Sequence, residues 1–248
     1  MSAPWFHLAP LPEAGGLVLL PREEAKHALG SRRLSAGDEV VLFDGRGTVA
    51  HAVLGGERAR DGSLSVAVRR VERHPRPQPL VTLASALPKG DRLATLADAA
   101  GQLGVANLVP LDCARSVVRC RSLHRERVER ILLEACKQCR RPWCPQLDEG
   151  ATPLAAVQAA LGRGDQAWLA HPGGQPASVL LEAARSARSG GGPGLTLVVG
   201  PEGGFTDEEV AALVQAGARQ VDLGDALLRV ETAGTALVAA IRLACAGL

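Results

Sequence analysis

The sequence lacks any long uncharged apolar run, and its first residues do not resemble a secretion signal. No stretch reaches the roughly 18 apolar residues that a membrane-spanning helix needs. The opening MSAPWFHLAPLPEAGG has no basic segment followed by an apolar one. Apolar residues still make up 46% of the chain, which is enough for a hydrophobic core and argues against disorder. We therefore expect a soluble, cytoplasmic protein with no membrane partner.

Cysteine is also scarce. The six cysteines are too few and too unevenly spaced to form the disulfide framework of a small secreted domain. Cys136 and Cys139 form a C-x-x-C pair, but the surrounding ILLEACKQCRR predicts a helix, and no second pair or histidine pair follows. We interpret the thiols as structural or incidental and predict no metal site. A zinc protein built on Cys136, Cys139 and Cys144 is the alternative.

The net charge of +2 does not by itself indicate a nucleic-acid-binding protein, because the position of the cations decides phosphate binding. The charges are unevenly distributed. Residues 115–141 carry nine cations and three acids, whereas residues 191–248 carry three arginines and seven acids. The basic segment is suited to a polyanion such as RNA. A solvated helix face in an arginine-rich protein is the alternative.

The pattern of predicted secondary structure changes along the chain, which predicts two domains. Up to about Val71, short apolar alternations indicate strands at the spacing of a small barrel, with a turn at Asp44-Gly45 and one helix from Arg22 to Leu29. The segment HPRPQP then places three prolines in alternate positions, which disfavours both helix and central strand. We predict a first domain over residues 1–73, a linker over 74–79 and a second domain over 80–248.

In the second domain, predicted strands and helices alternate. This order is typical of a parallel sheet covered by helices, in which ligands bind beyond the carboxyl ends of the strands. The predicted strands are LVTLASAL, NLVPL, QAWLAH, LTLVV and RQVDL. The predicted helices run from Asp91 to Leu103, Leu123 to Arg140, Ser178 to Ser189, Asp207 to Ala216 and Thr232 to Ala246.

The segment LTLVVGPEGGFTDEE, residues 195–209, leads from a buried strand through glycines into a helix. Thr206 and Glu209 have the spacing of a capping box, which predicts the helix start. Glycines at such a turn let a ligand approach backbone groups closely. A phosphate loop would have a Lys-Ser/Thr pair after the glycines, whereas the acids here permit a cationic ligand. The alternative is a tight turn without a ligand.

A second irregular segment lies in VDLGDALLRVETAGTALVAAI. Leu223-Gly224 ends a short strand, and Arg229, Glu231 and Thr232 precede an apolar, alanine-rich helix. Charged residues between a strand and a buried helix indicate a functional site. In the structural alternative, Arg229 pairs with Glu231 and Thr232 caps the last helix.

GPEGGFTDEE followed by LGDALLRVETA resembles the paired signature of the SPOUT methyltransferases of the RsmE type, which methylate N3 of a uridine in small-subunit (16S) ribosomal RNA. Weaker similarity extends over nearly the whole chain. It includes LPKGDRLATLADAAGQLGVANLVPLDCARSV, EACKQCRRPWCPQL and HALGSRRLSAGD. The chain departs from the family pattern at Ala99, Gln102 and Ala226-Leu227.

The resemblance implies a fold, a cofactor and an assembly. The expected fold is an N-terminal PUA-like β-barrel followed by a SPOUT α/β domain with a deep trefoil knot. The family's proteins are homodimers with the last helix at the interface, and the knot loops hold S-adenosylmethionine. Carried over to this sequence, the cofactor-binding residues are Leu169, His171, Gly200, Glu202, Gly203, Gly204, Leu223, Gly224, Leu228 and Thr232.

The resemblance also suggests catalytic and RNA-binding residues. We expect Arg229 to stabilise the uracil anion and Glu231 to accept the N3 proton. The expected contacts to 16S ribosomal RNA are His27, Arg32, Arg33, Arg115 and Arg140. For His27, a place in the core is an equally good interpretation. The competing functions are a SPOUT methyltransferase of another RNA nucleotide, such as a ribose 2′-O-methyltransferase, and a ribosome-binding relative without catalysis.

Overall fold

The computed structural model describes residues 3–13, 15–189 and 191–246, and the chain forms two compact units. The first unit contains the chain up to Arg76 together with Leu133–Cys144. The second unit contains Pro77–Leu132 and the chain from Pro145 onward.

The first unit is built on a five-stranded sheet. Its strands are β1 Trp5–His7, β2 Gly16–Leu20, β3 Glu39–Phe43, β4 Thr48–Arg58 and β5 Leu64–Arg73. They lie in the order β1-β3-β4-β5-β2, with β1 parallel to β3 and the other pairs antiparallel. The Asp44 carboxylate accepts hydrogen bonds from the Arg46 and Thr48 N–H groups, which confirms the predicted turn between β3 and β4. Helix α1, Arg22–Lys26, continues as a π-helical turn, His27–Ser31.

The segment 133–144 belongs to the first unit, although the boundary predicted from the sequence assigned it to the second domain. Its apolar side chains explain the difference, because Cys136 packs in one cluster with Val41 and Phe43. In the same segment the Lys137 ammonium is nearly buried and lies 2.8 Å from the Glu24 carboxylate. A buried cation needs carboxylate partners, and Lys137 has two, Glu24 of α1 and Glu134 of its own segment, each at 2.8 Å.

The second unit is built on a six-stranded sheet in which all paired strands are parallel, as predicted. The strands are β6 Val81–Ala86, β7 Asn107–Leu111, β8 Gln146–Leu147, β9 Gln166–Pro176, β10 Leu195–Val199 and β11 Arg219–Asp222. Their order is β11-β9-β10-β6-β7-β8. The helices are α2 Arg92–Leu103, α3 Arg125–Cys139, α4 Pro153–Gly162, α5 Ala177–Ser189, α6 Asp207–Gln215 and α7 Val230–Cys245, with a 3₁₀ turn at Cys120–Ser122. The part of α3 from Leu133 onward belongs to the first unit.

Helices cover both faces of this sheet. Along β10, Leu197 points into one apolar cluster and Val198 into the other, as strand alternation requires. The first cluster holds side chains from α2, α3, α5 and α7, and the second holds side chains from α4 and α6. The predicted helices are all present within two residues of their expected ends, whereas α4 and β8 were not predicted from the sequence.

The six cysteines are all free thiols. Burial raises the pKa of Cys113 to about 12. The pKa of Cys136 is also raised, mainly by a hydrogen bond with Cys144 and secondly by burial. Over the described ranges, no group of three His, Cys, Asp or Glu side chains is arranged to hold a metal ion. None of the helices in those ranges has the length and apolar character to cross a membrane.

Arg242 of α7 connects the C-terminal helix to the rest of the second unit by hydrogen bonds. Its guanidinium donates hydrogen bonds to the carbonyl oxygens of Leu103, Gly104 and Pro79. The first two carbonyls lie at the end of α2, where helical carbonyls lack intrahelical partners. One side chain therefore closes the end of α2 and holds the segment that leads into β6.

We expect Arg242→Ala to lower the stability of the protein by about 2 kcal/mol, because half-buried carbonyls lose a charged donor. For a chain of this size, that corresponds to a fall in the thermal midpoint of about 4–8 °C. Differential scanning calorimetry of Arg242→Ala and of the exposed-residue control Arg130→Ala measures it. Equal midpoints for the two variants would contradict this role of Arg242.

Candidate functional site

A cavity of about 420 Å³ opens at the carboxyl ends of β9, β10 and β11 in the second unit. This is the edge at which parallel sheets bind ligands, and the volume is that of a small-molecule site. Three backbone segments form most of its wall: residues 170–172, 199–205 and 222–228. Val230 and Ala233 of α7 complete it.

The 200–205 loop begins directly after β10 and turns tightly. The Gly204 N–H donates a hydrogen bond to the Pro201 carbonyl (2.8 Å), and Gly204 has a φ of +71°, which favours glycine. A Cβ placed on Gly200 would lie 2.7 Å from the ring of Phe205, which is buried below the loop. Glycine at position 200 is therefore a packing requirement.

The capping box that the sequence predicts after this loop is confirmed. The Glu209 N–H donates to Thr206 Oγ1 (3.2 Å), and the Thr206 N–H donates to Glu209 Oε2 (2.9 Å). The other oxygen of Glu209, Oε1, accepts a hydrogen bond from the Ala114 N–H (2.8 Å). Glu209 thus joins the start of α6 to the segment that follows β7.

The second wall is a bulge in β9. Leu169 pairs with Gln220 of β11, but the next residue of β11, Val221, pairs with Gln175, so residues 170–174 loop out of the sheet. The strand rejoins β11 at Gln175, and at the preceding Gly174 a Cβ would lie 2.8 Å from the backbone of Gln220 and Val221. This bulge places His171 and Pro172 at the cavity.

Asp222 ties the bulge to the third wall, the 223–229 loop. Its Oδ2 accepts a hydrogen bond from the Gly173 N–H (2.8 Å), and its Oδ1 accepts one from the Gly224 N–H (2.9 Å). These two backbone hydrogen bonds lower the pKa of the Asp222 carboxyl. The ionised carboxylate therefore acts as a clamp between two cavity loops.

The 223–229 loop leads into α7, which begins at Val230, earlier than the Thr232 predicted from the sequence. Arg229 occupies the N-cap position and is exposed, while Glu231 lies in the first helical turn. Val230 and Ala233 are buried, and their packing explains the earlier start. Thr232 is therefore not the N-cap residue. Within the described ranges, no ion pair joins Arg229 to Glu231.

Glu231 is a buried carboxyl group with a free acceptor. The residue is 8% exposed, and its Oε2 has no hydrogen-bond partner in the part of the chain that the structure describes. A buried carboxyl oxygen without a hydrogen-bond partner is costly, and such groups are often functional. The residue itself does not line the cavity.

Most of the cofactor-binding residues expected from the sequence meet at this cavity. Leu169 is fully buried in the core below it, and Thr232 is exposed on α7, so neither lines the cavity. The expected residues that do line it are His171, Gly200, Glu202, Gly203, Gly204, Leu223, Gly224 and Leu228.

Sequence reasoning missed the role of Asp222 and placed Arg115 elsewhere. Asp222 stands at the end of a strand, directly before Leu223-Gly224, which is the signal that could have found it. Arg115, expected to contact RNA, lines the cavity and donates through Nη1 to the carbonyl oxygens of Gly203 (2.9 Å) and Phe205 (3.2 Å).

The lining of the cavity is rich in acids. Glu202, Asp222 and Asp225 line it, and Arg115 is the single Lys or Arg among the lining residues. Glu202 is paired with Arg92 of α2 at 3.1 Å. The cavity can therefore accept a cationic group beside apolar walls, in agreement with the interpretation of the sequence.

The other expected RNA contacts lie in the first unit. Arg32 and Arg33 are exposed after the π-helical turn, and Arg140 is exposed after α3. Arg33 and Arg140 are the two non-glycine residues with positive φ in the described ranges, at 54° and 59°. His27 is half-buried, with its ring edge-to-face on Phe6 at a centroid distance of 6.0 Å, which agrees with the core interpretation.

Comparison with known families defines the class of this protein. The family model for the RNA methyltransferase domain matches residues 74–242, and the model for the RNA methyltransferase PUA domain matches residues 20–60. The first match covers more than half of the chain. The chain therefore belongs to the RNA methyltransferase domain family, and it is an enzyme of the methyltransferase class.

Individual relatives extend this assignment along the full chain. The ribosomal RNA small subunit methyltransferase E of Mycobacterium tuberculosis is 32% identical over 97% of this chain and 92% of its own length. The protein of the same name from Bacillus subtilis is 29% identical over 88% of this chain and 87% of its own.

Solved structures give the same result. The crystal structure of a ribosomal RNA small subunit methyltransferase E from Neisseria gonorrhoeae, bound to S-adenosylmethionine, matches with a TM-score of 0.84 and 25% identity, and the match covers 98% of both chains. A methyltransferase from Legionella pneumophila in complex with the same cofactor matches with a TM-score of 0.82 and 25% identity, again over 98% of both chains.

We expect Gly200→Ala to lower the stability of the folded protein, because the new Cβ would lie 2.7 Å from the buried Phe205 ring. A cost of about 1–3 kcal/mol is typical of such overpacking. Gly203→Ala is the matched control, since its nearest neighbours would be Arg115 atoms at 3.5 Å, an ordinary contact. Thermal unfolding should show a fall of several degrees for Gly200→Ala only. A similar fall for both variants would show that the Phe205 contact is not the cause.

Proposed function

We propose that this protein transfers a methyl group from S-adenosylmethionine to N3 of a uridine in small-subunit (16S) ribosomal RNA. The observation that carries the proposal is the cavity at the ends of β9, β10 and β11, two of whose three walls are formed by the segments that the sequence signature contains. The names of the full-length relatives support the small-subunit RNA as substrate.

The residues at the cavity suit S-adenosylmethionine. Gly200, Gly203 and Gly204 all line the cavity, and at Gly204 no atom would lie within 4 Å of a Cβ, so a ligand can approach the main chain there and its adenine edge can be bound by N–H and C=O groups. Side chains of Leu223 and Leu228 supply apolar surface for the rings. The lining acids favour the positive charges of the sulfonium and the ammonium.

When it is bound, the cofactor supplies an activated methyl group, so the protein needs only to align the reactants and assist loss of the uracil N3 proton. We assign stabilisation of the developing uracil anion to Arg229, and its exposed position between two residues that line the cavity, Leu228 and Val230, supports this role. Glu231 is our candidate for accepting the proton, because its Oε2 is free to accept a hydrogen bond.

RNA binding is assigned to exposed arginines in each unit. In the first unit these are Arg32, Arg33 and Arg140, two of which have a strained left-handed backbone of the kind that often marks functional residues. In the second unit, Arg127 and Arg130 of α3 are exposed. Such cations hold phosphates and orient the RNA, while the target base is turned into the site.

We further propose that the five-stranded sheet closes as a PUA-like barrel and that the C-terminal segment of the second unit forms a trefoil knot. Support comes from the strand order β11-β9-β10-β6, in which the later strand β10 lies between the earlier strands β6 and β9. A homodimer, working in the cytoplasm, would cover the exposed Leu227 and Leu243 near and on α7.

The substrate is tested by nucleoside mass spectrometry of small-subunit ribosomal RNA from cells with and without the gene. Loss of 3-methyluridine alone, restored by the plasmid-borne gene, is the expected result. Loss of a ribose 2′-O-methylated nucleoside would instead identify another SPOUT activity. An unchanged profile, together with no binding of S-adenosylmethionine, would favour a ribosome-binding protein without catalysis.

We expect Arg229→Ala to lower turnover by a factor of about 100 or more, because the uracil anion loses its charged partner. Binding of S-adenosylmethionine, measured by isothermal titration calorimetry, should stay within a few-fold of the wild type. Arg163→Ala is the control, since Arg163 is exposed after α4 and does not line the cavity. Turnover of Arg229→Ala close to that of the control would show that Arg229 has another role.

A further inference from the structure

We propose that Arg115 is a positioning residue that holds the 200–205 loop in its cofactor-binding shape, and not an RNA contact. The inference rests on the proposed function, because it assigns a role within that cofactor site. It concerns a residue in the basic 115–141 segment, where phosphate binding was the expected role.

The hydrogen bonds of Arg115 carry the inference. Nη1 bears two N–H donors, and the carbonyl oxygens of Gly203 (2.9 Å) and Phe205 (3.2 Å) accept from this nitrogen. These carbonyls stand on either side of Gly204, whose positive φ makes the turn. The stem of Arg115 also lies along the loop, with Cβ and Cδ 3.5 Å from the position that a Cβ on Gly203 would occupy. Arg115 therefore fixes both sides of the turn.

Arg115 can hold the loop only if its own backbone is fixed, and it is. The preceding residue, Ala114, donates its N–H to Glu209 Oε1 (2.8 Å) at the start of α6. The Cys113 N–H donates to Ser116 Oγ (3.0 Å), and Arg119 Nη1 donates to the Cys113 carbonyl (2.9 Å). Hydrogen bonds on both sides thus anchor the residue from which the guanidinium extends.

The loop needs an external support of this kind. Three of its six residues are glycines, which lose more conformational entropy on ordering than any other residue. Its carbonyl oxygens are partially negative, so a guanidinium is a suitable partner. A phosphate that recruited Nη1 would have to displace at least one of these carbonyls and would loosen the loop.

Hydrogen–deuterium exchange of the cofactor-free protein tests the support of the loop directly. We expect Arg115→Ala to raise the exchange of peptides covering residues 200–206 by roughly tenfold, since hydrogen bonds from a charged donor are lost. The affinity for S-adenosylmethionine should fall by a similar factor, while RNA affinity stays within about twofold. Arg115→Lys should recover part of both losses. Because Arg115 is exposed, the variant should stay folded, which circular dichroism checks.

The matched control is Arg130→Ala, an exposed arginine of the same basic segment that does not line the cavity. It should weaken RNA binding and leave loop exchange and cofactor affinity unchanged. The inference is overturned if Arg115→Ala behaves like Arg130→Ala in all three measurements. If the wild type fails to bind S-adenosylmethionine, the proposed function is wrong, and the exchange of the 200–206 peptides still decides whether Arg115 supports the loop.

Discussion

The parallel register of β9, β10 and β11 is the constraint on which the site depends. Leu169 of β9 is paired with Val198 of β10 on one side and with Gln220 of β11 on the other. The three strands therefore leave the sheet at the same level, and each loop that follows begins next to the others. Side-chain packing in two apolar layers fixes this register, because a slip by one residue would turn the buried side chains to the wrong face.

A glycine-rich loop such as 200–205 lets a ligand approach its backbone, but ordering it costs more conformational entropy than ordering other residues would. Here the holding groups are charged side chains from outside or beside the loops. Asp222 accepts from two walls at once, Glu209 joins α6 to the segment after β7, and Arg92 pairs with Glu202. The charges at this site thus have a structural role as well as an electrostatic one.

Local signals made much of the architecture predictable. The spacing of Thr206 and Glu209 predicted the start of α6, and the glycines after LTLVV indicated the loop that forms one wall of the cavity. The bulge in β9 could not be foreseen, because its boundaries are set by pairing with β11, a strand some fifty residues later. The place of Arg115 was missed for a similar reason: in sequence it belongs to a basic run, and only folding brings it to the carbonyls of Gly203 and Phe205. Packing of Cys136 with Phe43 likewise joins residues far apart in sequence.

The bulge separates the residues of β9 that pair with other strands from those that reach the cavity. Residues 170–174 leave the sheet after Leu169 and return at Gln175, and strand pairing continues on both sides of them. The register of the strand is therefore set outside this segment, and Gly174 leaves room for the backbone of β11. One strand thereby divides two tasks between its residues: the paired residues hold the sheet together, and the residues between them shape the wall of the cavity.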